Sequence, residues 1–156
     1  MTPELGQATT RKPPFKYSAF TRVGFSDTDA QGVVYYGRYL PFFDQARVEY
    51  HRHLGQLNAG VVVEELAMRA TTIDYLAPAQ FDDLLEVFVR LSAIGRTSAT
   101  YELAAYRVHD DLLLVTARQT VVLIDRATRQ GRPIGDSFRR RIGEFEGDDL
   151  EVASPA

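Results

Sequence analysis

The chain has 156 residues, 45% of them hydrophobic and 25% charged, which suits one soluble domain with a real core. Its formal charge of −3 argues against nucleic acid, whose binders carry a basic excess or stripe. It has no Cys, which excludes disulfides, zinc thiolates and a cysteine nucleophile.

Residues 1–16 are polar, include Pro13-Pro14, and read as a flexible arm. They lack the apolar segment of a signal peptide, and no stretch reaches the roughly 18 apolar residues of a membrane span. A cytoplasmic location is expected. Residues 146–156 are acidic and small and read as a frayed tail. No linker or repeat interrupts residues 17–145, which read as one domain.

Tyr17, Phe20, Val23 and Phe25 suit a first strand over 17–25. A loop over 26–37 follows, with Asp27, Asp29, Gly32, Gly37 and the apolar insert Val33-Val34-Tyr35-Tyr36. From 38 to 54 the spacing of Tyr39, Phe43, Ala46, Tyr50 and Leu54 predicts a helix. Pro41 fits only its first turn, and Gly55 is a natural stop. Strand-like runs then occupy 61–76 (including Val61-Val62-Val63), 84–94, 97–108 and 112–125. Pro78, Asp82-Asp83, Gly95-Arg96 and His109-Asp110-Asp111 break them with turn chemistry. The expected fold is α+β, one long central helix wrapped by a curved antiparallel sheet of about five strands. Strands this long and apolar predict edges shared with a second subunit.

The segment from Phe25 to Leu40 sets two acids and two glycines just before a helix start. A calcium loop beginning at Asp27 needs Glu at its twelfth position, where Arg38 stands. Acids and glycines there also serve as caps and turns, the bland reading for Asp27. A third use is catalytic. A helix start offers unpaired N–H groups and partial positive charge, which polarise a carbonyl oxygen. A carboxylate beside it attacks the carbonyl or deprotonates water. Asp29, seven residues before Tyr36, is the candidate.

Asp27-Thr-Asp-Ala-Gln-Gly-Val-Val-Tyr-Tyr36, followed by Tyr39, Phe43, Ala46-Arg47 and Glu49, resembles the signature of the hot-dog-fold 4-hydroxybenzoyl-CoA thioesterase family. It is most similar to the Tol-Pal-associated short-chain acyl-CoA thioesterase branch. Further matches are Ile73-Asp-Tyr-Leu-Ala-Pro-Ala-Gln-Phe-Asp-Asp-Leu-Leu-Glu86 and Gly95-Arg-Thr-Ser98, and the resemblance spans about residues 18–130. It implies a hot-dog thioesterase acting on acyl-CoA or an acyl carrier protein, working as a homodimer or homotetramer, with no cofactor or metal. It implies Asp29 as the catalytic carboxylate, and the Tyr36 backbone N–H as the donor to the thioester carbonyl. Gly32 matches the glycine that lets the loop pass close to substrate. Val34 and Tyr35 fall with the substrate, and Arg96 and Ser98 match a turn that contacts coenzyme A phosphates. Many members carry His where this chain has Tyr36, a change that spares the main-chain donor.

Asp44 and Glu49 on the helix read as ion-pair partners of a neighbouring Arg. His51, His53 and His109 have no triad spacing and read as structural or surface residues. Ser26 and Ser98 lack a G-x-S-x-G context. Arg139-Arg140-Arg141 reads as a solvated patch. Two other functions stay open on the same fold, an enoyl-thioester hydratase or dehydratase and a non-catalytic acyl-binding protein. The first typically pairs an acid with a His near the helix start, and residues 1–50 hold no His.

Overall fold

Helix α1 covers Tyr39–His53 in the computed structural model, which describes residues 3–57 and 65–152. Tyr39, Phe42, Phe43, Ala46 and Tyr50 form its buried face, at the spacing expected of a helix seated on a sheet. Burying a side chain such as Phe43 contributes about 1.5–3 kcal/mol. Pro41 sits in the first turn, where it breaks no internal hydrogen bond. Gly55, at φ 70°, takes the left-handed turn that ends the helix. Leu40, in the first turn, is exposed.

The sheet contains β1 (Gly6–Ala8), β2 (Tyr17–Arg22), β3 (Leu66–Tyr75), β4 (Leu84–Ile94), β5 (Ser98–Arg107) and β6 (Leu112–Leu123). Its order is β1-β2-β4-β5-β6-β3, antiparallel throughout this path. A seventh short strand, β7 (Glu151–Val152), runs parallel to the end of β4. The β4–β5 and β5–β6 connections are the hairpins expected from their turn residues. Register shifts at Met68/Ala70, Leu91/Ala93 and Ala105/Tyr106 break the ladder, and such bulges bend strands. The sheet thereby curves around α1, which packs on β2 and β4. Leu85, Val87, Val89, Leu91, Leu103 and Leu114 complete the core with Phe43 and Tyr50.

Four segments differ from the sequence reading. The first strand stops at Arg22, and Phe25 instead opens a one-turn 3-10 helix, Phe25–Asp27, with its ring exposed. The segment read as a flexible arm holds β1, and Phe15 packs against Phe88 with ring centroids 6.0 Å apart. Arg11 pairs with Glu86 and Lys12 lies over the Tyr106 ring, so the arm covers the sheet face away from α1. This explains why β4 is buried on both faces. A second helix, α2 (Asp136–Glu146), buries Phe138 and Ile142 against the sheet and leaves Arg140 and Arg141 exposed, while the half-buried Arg139 donates to the Gly95 carbonyl at 2.7 Å. The tail expected to fray continues from α2 through a 3-10 turn, Gly147–Asp149, into β7. Val61-Val62-Val63, read as the start of a strand, lies outside the described residues. No helix among the described residues is long and apolar enough to cross a membrane.

Candidate active site

The loop from Gly24 to Arg38 is built around Asp27. Its buried carboxylate accepts the Gly24 N–H at Oδ2 (2.7 Å) and Arg38 Nε at Oδ1 (2.7 Å). Its backbone carbonyl accepts the Tyr35 N–H at 3.0 Å. One residue thus ties both ends of the loop together and hands the chain into the 3-10 turn Tyr36–Arg38 that opens α1. The bland reading of Asp27, as a loop-shaping acid, matches these bonds.

Inside that frame the chain reverses tightly. The Asp29 N–H donates to Val33 O (2.9 Å), Gly32 N–H to Asp29 O (3.0 Å), and Gln31 N–H to Asp29 Oδ1 (2.8 Å). Gly32 has φ 79°, a left-handed conformation that penalises any side chain. The space where a Cβ would stand is open, so backbone conformation rather than crowding calls for glycine here. The Val34 N–H donates to Ala79 O and buries the Val34 side chain beneath the loop.

Asp29 faces a cleft of ≈290 Å³. Its walls are Gln31, Val33, Val34, Tyr36, Tyr39, Tyr75, Leu76, Ala77 and Pro78. Asp29 Oδ2 has no partner among the described residues. Tyr36 is the first residue of the helical segment, where N–H groups have no carbonyl one turn back within the helix. The Tyr75 hydroxyl donates to the Tyr36 carbonyl at 2.9 Å, and the Tyr39 oxygen accepts the Ala79 N–H at 3.1 Å. Burial raises the Tyr39 and Tyr75 hydroxyls above the ordinary tyrosine pKa, so both stay neutral, Tyr75 as a donor and Tyr39 as an acceptor. A carboxylate, a helix start and a mostly apolar pocket therefore share one small space. Such an arrangement can hold a carbonyl, stabilise the charge it gains on attack, and supply a nucleophile or base.

Five of the expected residues stand near this cleft, and two do not. Asp29, Val34 and Tyr36 line it, and Gly32 shapes its loop. Tyr35 is its neighbour but lies outside the lining, its ring 4.5 Å from the Tyr36 ring and tilted by 39°. Arg96 sits in the β4–β5 turn and Ser98 opens β5, both at the far end of a strand of 11 residues whose near end lies by the loop. At about 3.3 Å per residue that is roughly 35 Å away within one protomer. Tyr75 and Leu76 were not singled out in the sequence. Only their place in the run Ile73-Asp-Tyr-Leu-Ala-Pro78, at a strand end before a proline, pointed toward them.

The other acids and bases are engaged elsewhere. A larger groove of ≈540 Å³ between α1 and β2 holds Asp44 and Glu49. Asp44 accepts Arg47 at 2.5 Å, and Glu49 accepts the Leu5 N–H and Arg52. The groove lies along the flank of the helix, away from its start, so the smaller cleft is the better site for the chemistry. His51 is fully buried between Gln56 and Tyr101, with 2.6 Å to each, and burial pushes its pKa down to about 4. His53 contacts Glu4. No His lines the cleft, and among the described residues no cluster of His, Cys, Asp or Glu is placed to hold a metal.

Residues 23–142 match the model of the thioesterase-like superfamily. The chain is 32% identical to the acyl-CoA thioester hydrolase YbgC of Escherichia coli O6:H1, over 80% of this chain and 92% of that one. It is 36% identical to the acyl-CoA thioesterase YbgC of Haemophilus influenzae, over 70% and 81% of the two chains. Among solved structures, a probable thioesterase from Bartonella henselae superposes with a TM-score of 0.66 at 33% identity, over 76% of this chain and 98% of that one.

Proposed function

The chain belongs to the thioesterase-like superfamily and is a thioester hydrolase, and we propose that it cleaves acyl-CoA thioesters with Asp29 and the start of α1. One observation carries the site: Asp29 and Tyr36, first residue of the helical segment, line the same ≈290 Å³ cleft. The thioester oxygen accepts the Tyr36 N–H, and the partial positive charge of the helix start favours the oxyanion. Asp29 then acts in one of two ways. As a nucleophile it adds to the carbonyl carbon and expels the thiolate, and water cleaves the resulting anhydride. As a base it takes a proton from water, the hydroxide adds, and the proton passes to the leaving thiolate. Single turnover in ¹⁸O-water tests the first route, because label in the Asp29 side chain requires an anhydride that water opens at the Asp29 carbon.

The same reading includes a two-fold homo-oligomer. β3 pairs on one edge with β6, and its other edge has no partner strand among the described residues. Exposed edges of ten residues invite pairing. The Tyr75 end of β3 lies at the cleft, while its Leu66 end pairs with Leu123, whose N–H donates to Thr97 O in the β4–β5 turn. Antiparallel pairing of two β3 strands sets the Leu66 end of one copy beside the Tyr75 end of the other. That carries the partner subunit's Arg96 and Ser98 toward this protomer's cleft, where they would meet the phosphates of coenzyme A. The cytoplasm, the compartment expected for the chain, goes with such a substrate.

Thiol release from a panel of acyl-CoAs and acyl carrier proteins, followed with a thiol reagent, tests the activity. Turnover of at least one CoA thioester is expected. No release from any, or hydration of an enoyl-CoA without release, contradicts the proposal. Light scattering that finds only monomer contradicts the assembly.

A further inference from the structure

We propose that Tyr75 is a positioning residue whose hydroxyl holds the Tyr36 main chain in the orientation that aims its N–H into the cleft. The inference rests on the function proposed above and deepens it. Tyr75 ends β3, 39 residues from Tyr36 in sequence, and is 48% exposed. A hydroxyl so placed has water available to it. It nonetheless turns inward and donates to the Tyr36 carbonyl at 2.9 Å. Its ring meets the Tyr36 ring edge-on at 6.4 Å and the Tyr39 ring at 5.8 Å. These contacts place its side chain against the first turn of the helix.

The geometry around Tyr36 explains what the bond accomplishes. On the N-terminal side, the Tyr35 carbonyl, which shares a peptide unit with the Tyr36 N–H, accepts the Arg38 N–H at 2.8 Å, and one unit earlier Asp27 O accepts the Tyr35 N–H at 3.0 Å. On the C-terminal side, the Tyr36 carbonyl is the group Tyr75 holds. The two peptide units that flank Tyr36 are thus each held by one bond, the first within the turn itself and the second from the strand end. Its N–H direction follows from both. Donors that stabilise a developing oxyanion work through preorganisation, so freedom at Tyr36 is lost as turnover rather than as substrate affinity. Tyr75 itself needs no contact with the reacting atoms.

Tyr75→Phe keeps the ring and removes the hydroxyl, and Tyr75→Leu removes both. Kinetics of thiol release are compared for wild type, both variants and Asp29→Asn, with amide hydrogen exchange at residues 36–38 followed by NMR. For Tyr75→Phe a fall in kcat of about tenfold with KM within about twofold is expected, since a misaimed donor costs less than the 10²–10³ of a missing one. Faster exchange at residues 36–38 accompanies it. Tyr75→Leu shows the same kcat loss and a raised KM from the missing wall of the cleft. A Phe variant with kcat within about twofold of wild type overturns the inference whatever the exchange shows, because a ring that only packs is indifferent to its hydroxyl. If Asp29→Asn keeps full activity, or wild type cleaves no thioester, the proposed function is what fails. The exchange then decides the positioning role alone, faster exchange supporting it and unchanged exchange overturning it.

Discussion

Removing the Asp27 side chain should cost both stability and activity, although Asp27 lines no part of the cleft. Asp27→Ala deletes two bonds, from Gly24 N–H and from Arg38 Nε, each 2.7 Å, and spares the backbone bond to Tyr35. The carboxylate is 11% exposed, so the Gly24 bond, a charge-assisted one, contributes about 1.5–2 kcal/mol. Arg38 is 47% exposed, and solvent screening limits that ion pair to about 1 kcal/mol or less. Together the loss is about 2–3 kcal/mol, or roughly 5–10 °C in melting temperature for a domain of this size. Calorimetry at neutral pH measures the shift. Thiol release should fall as well, because Asp29 and Tyr36 both stand on the segment that Asp27 closes. A variant that melts within about 1 °C of wild type and keeps its turnover would refute the view that Asp27 holds the site together.

Two further outcomes follow from the structure. His51 stays neutral when folded because burial pushes its pKa from 6.5 down to about 4, while in the unfolded chain it takes a proton near 6.5. Its contribution is therefore full above pH 6.5 and lost as pH falls to 4, about 3 kcal/mol in all. Burial raises the Glu146 carboxyl and acts in the opposite sense, losing stability as pH rises above 4.5. Urea midpoints in a Glu146→Gln background should fall between pH 7 and 4.5, and a flat profile contradicts the burial argument for His51. Arg96→Ala should raise KM for acyl-CoA roughly tenfold, the worth of one charge-assisted bond, with kcat little changed. A short thioester without the nucleotide phosphates should show no such effect, and an equal loss on both would remove Arg96 from phosphate binding.

Much of this fold is legible in local pattern. The Tyr39–Phe43–Ala46–Tyr50 spacing and the stop at Gly55 locate α1, and turn residues locate the hairpins, because one buried face and a few breakers decide both. The helix α2 escapes because Arg139-Arg140-Arg141 dominates its composition, leaving Phe138, Ile142 and Phe145 as a thin apolar row. The arm escapes for a different reason. Its order comes from long-range partners, Phe88, Glu86 and Tyr106, that no local window contains. At the site, Asp29 and Tyr36 are legible because a single loop joins them. Tyr75 is not, since its contact with Tyr36 exists only once β3 has paired with β6. Tyr35 shows the limit of motif reading, for adjacent residues before a helix point different ways, and only Tyr36 reaches the cleft. The Gly95–Ser98 turn names candidate phosphate ligands, yet a single copy leaves them at the wrong end of β4.

The most direct measurement is the turnover of Asp29→Asn beside wild type on whichever acyl-CoA wild type cleaves best. The substitution is nearly isosteric and keeps the side-chain oxygen that accepts the Gln31 N–H, so circular dichroism and melting temperature should match wild type. A loss in kcat of several powers of ten is expected, since asparagine can neither form the anhydride nor take a proton from water. A folded Asn variant that hydrolyses the thioester at the wild-type rate would contradict it.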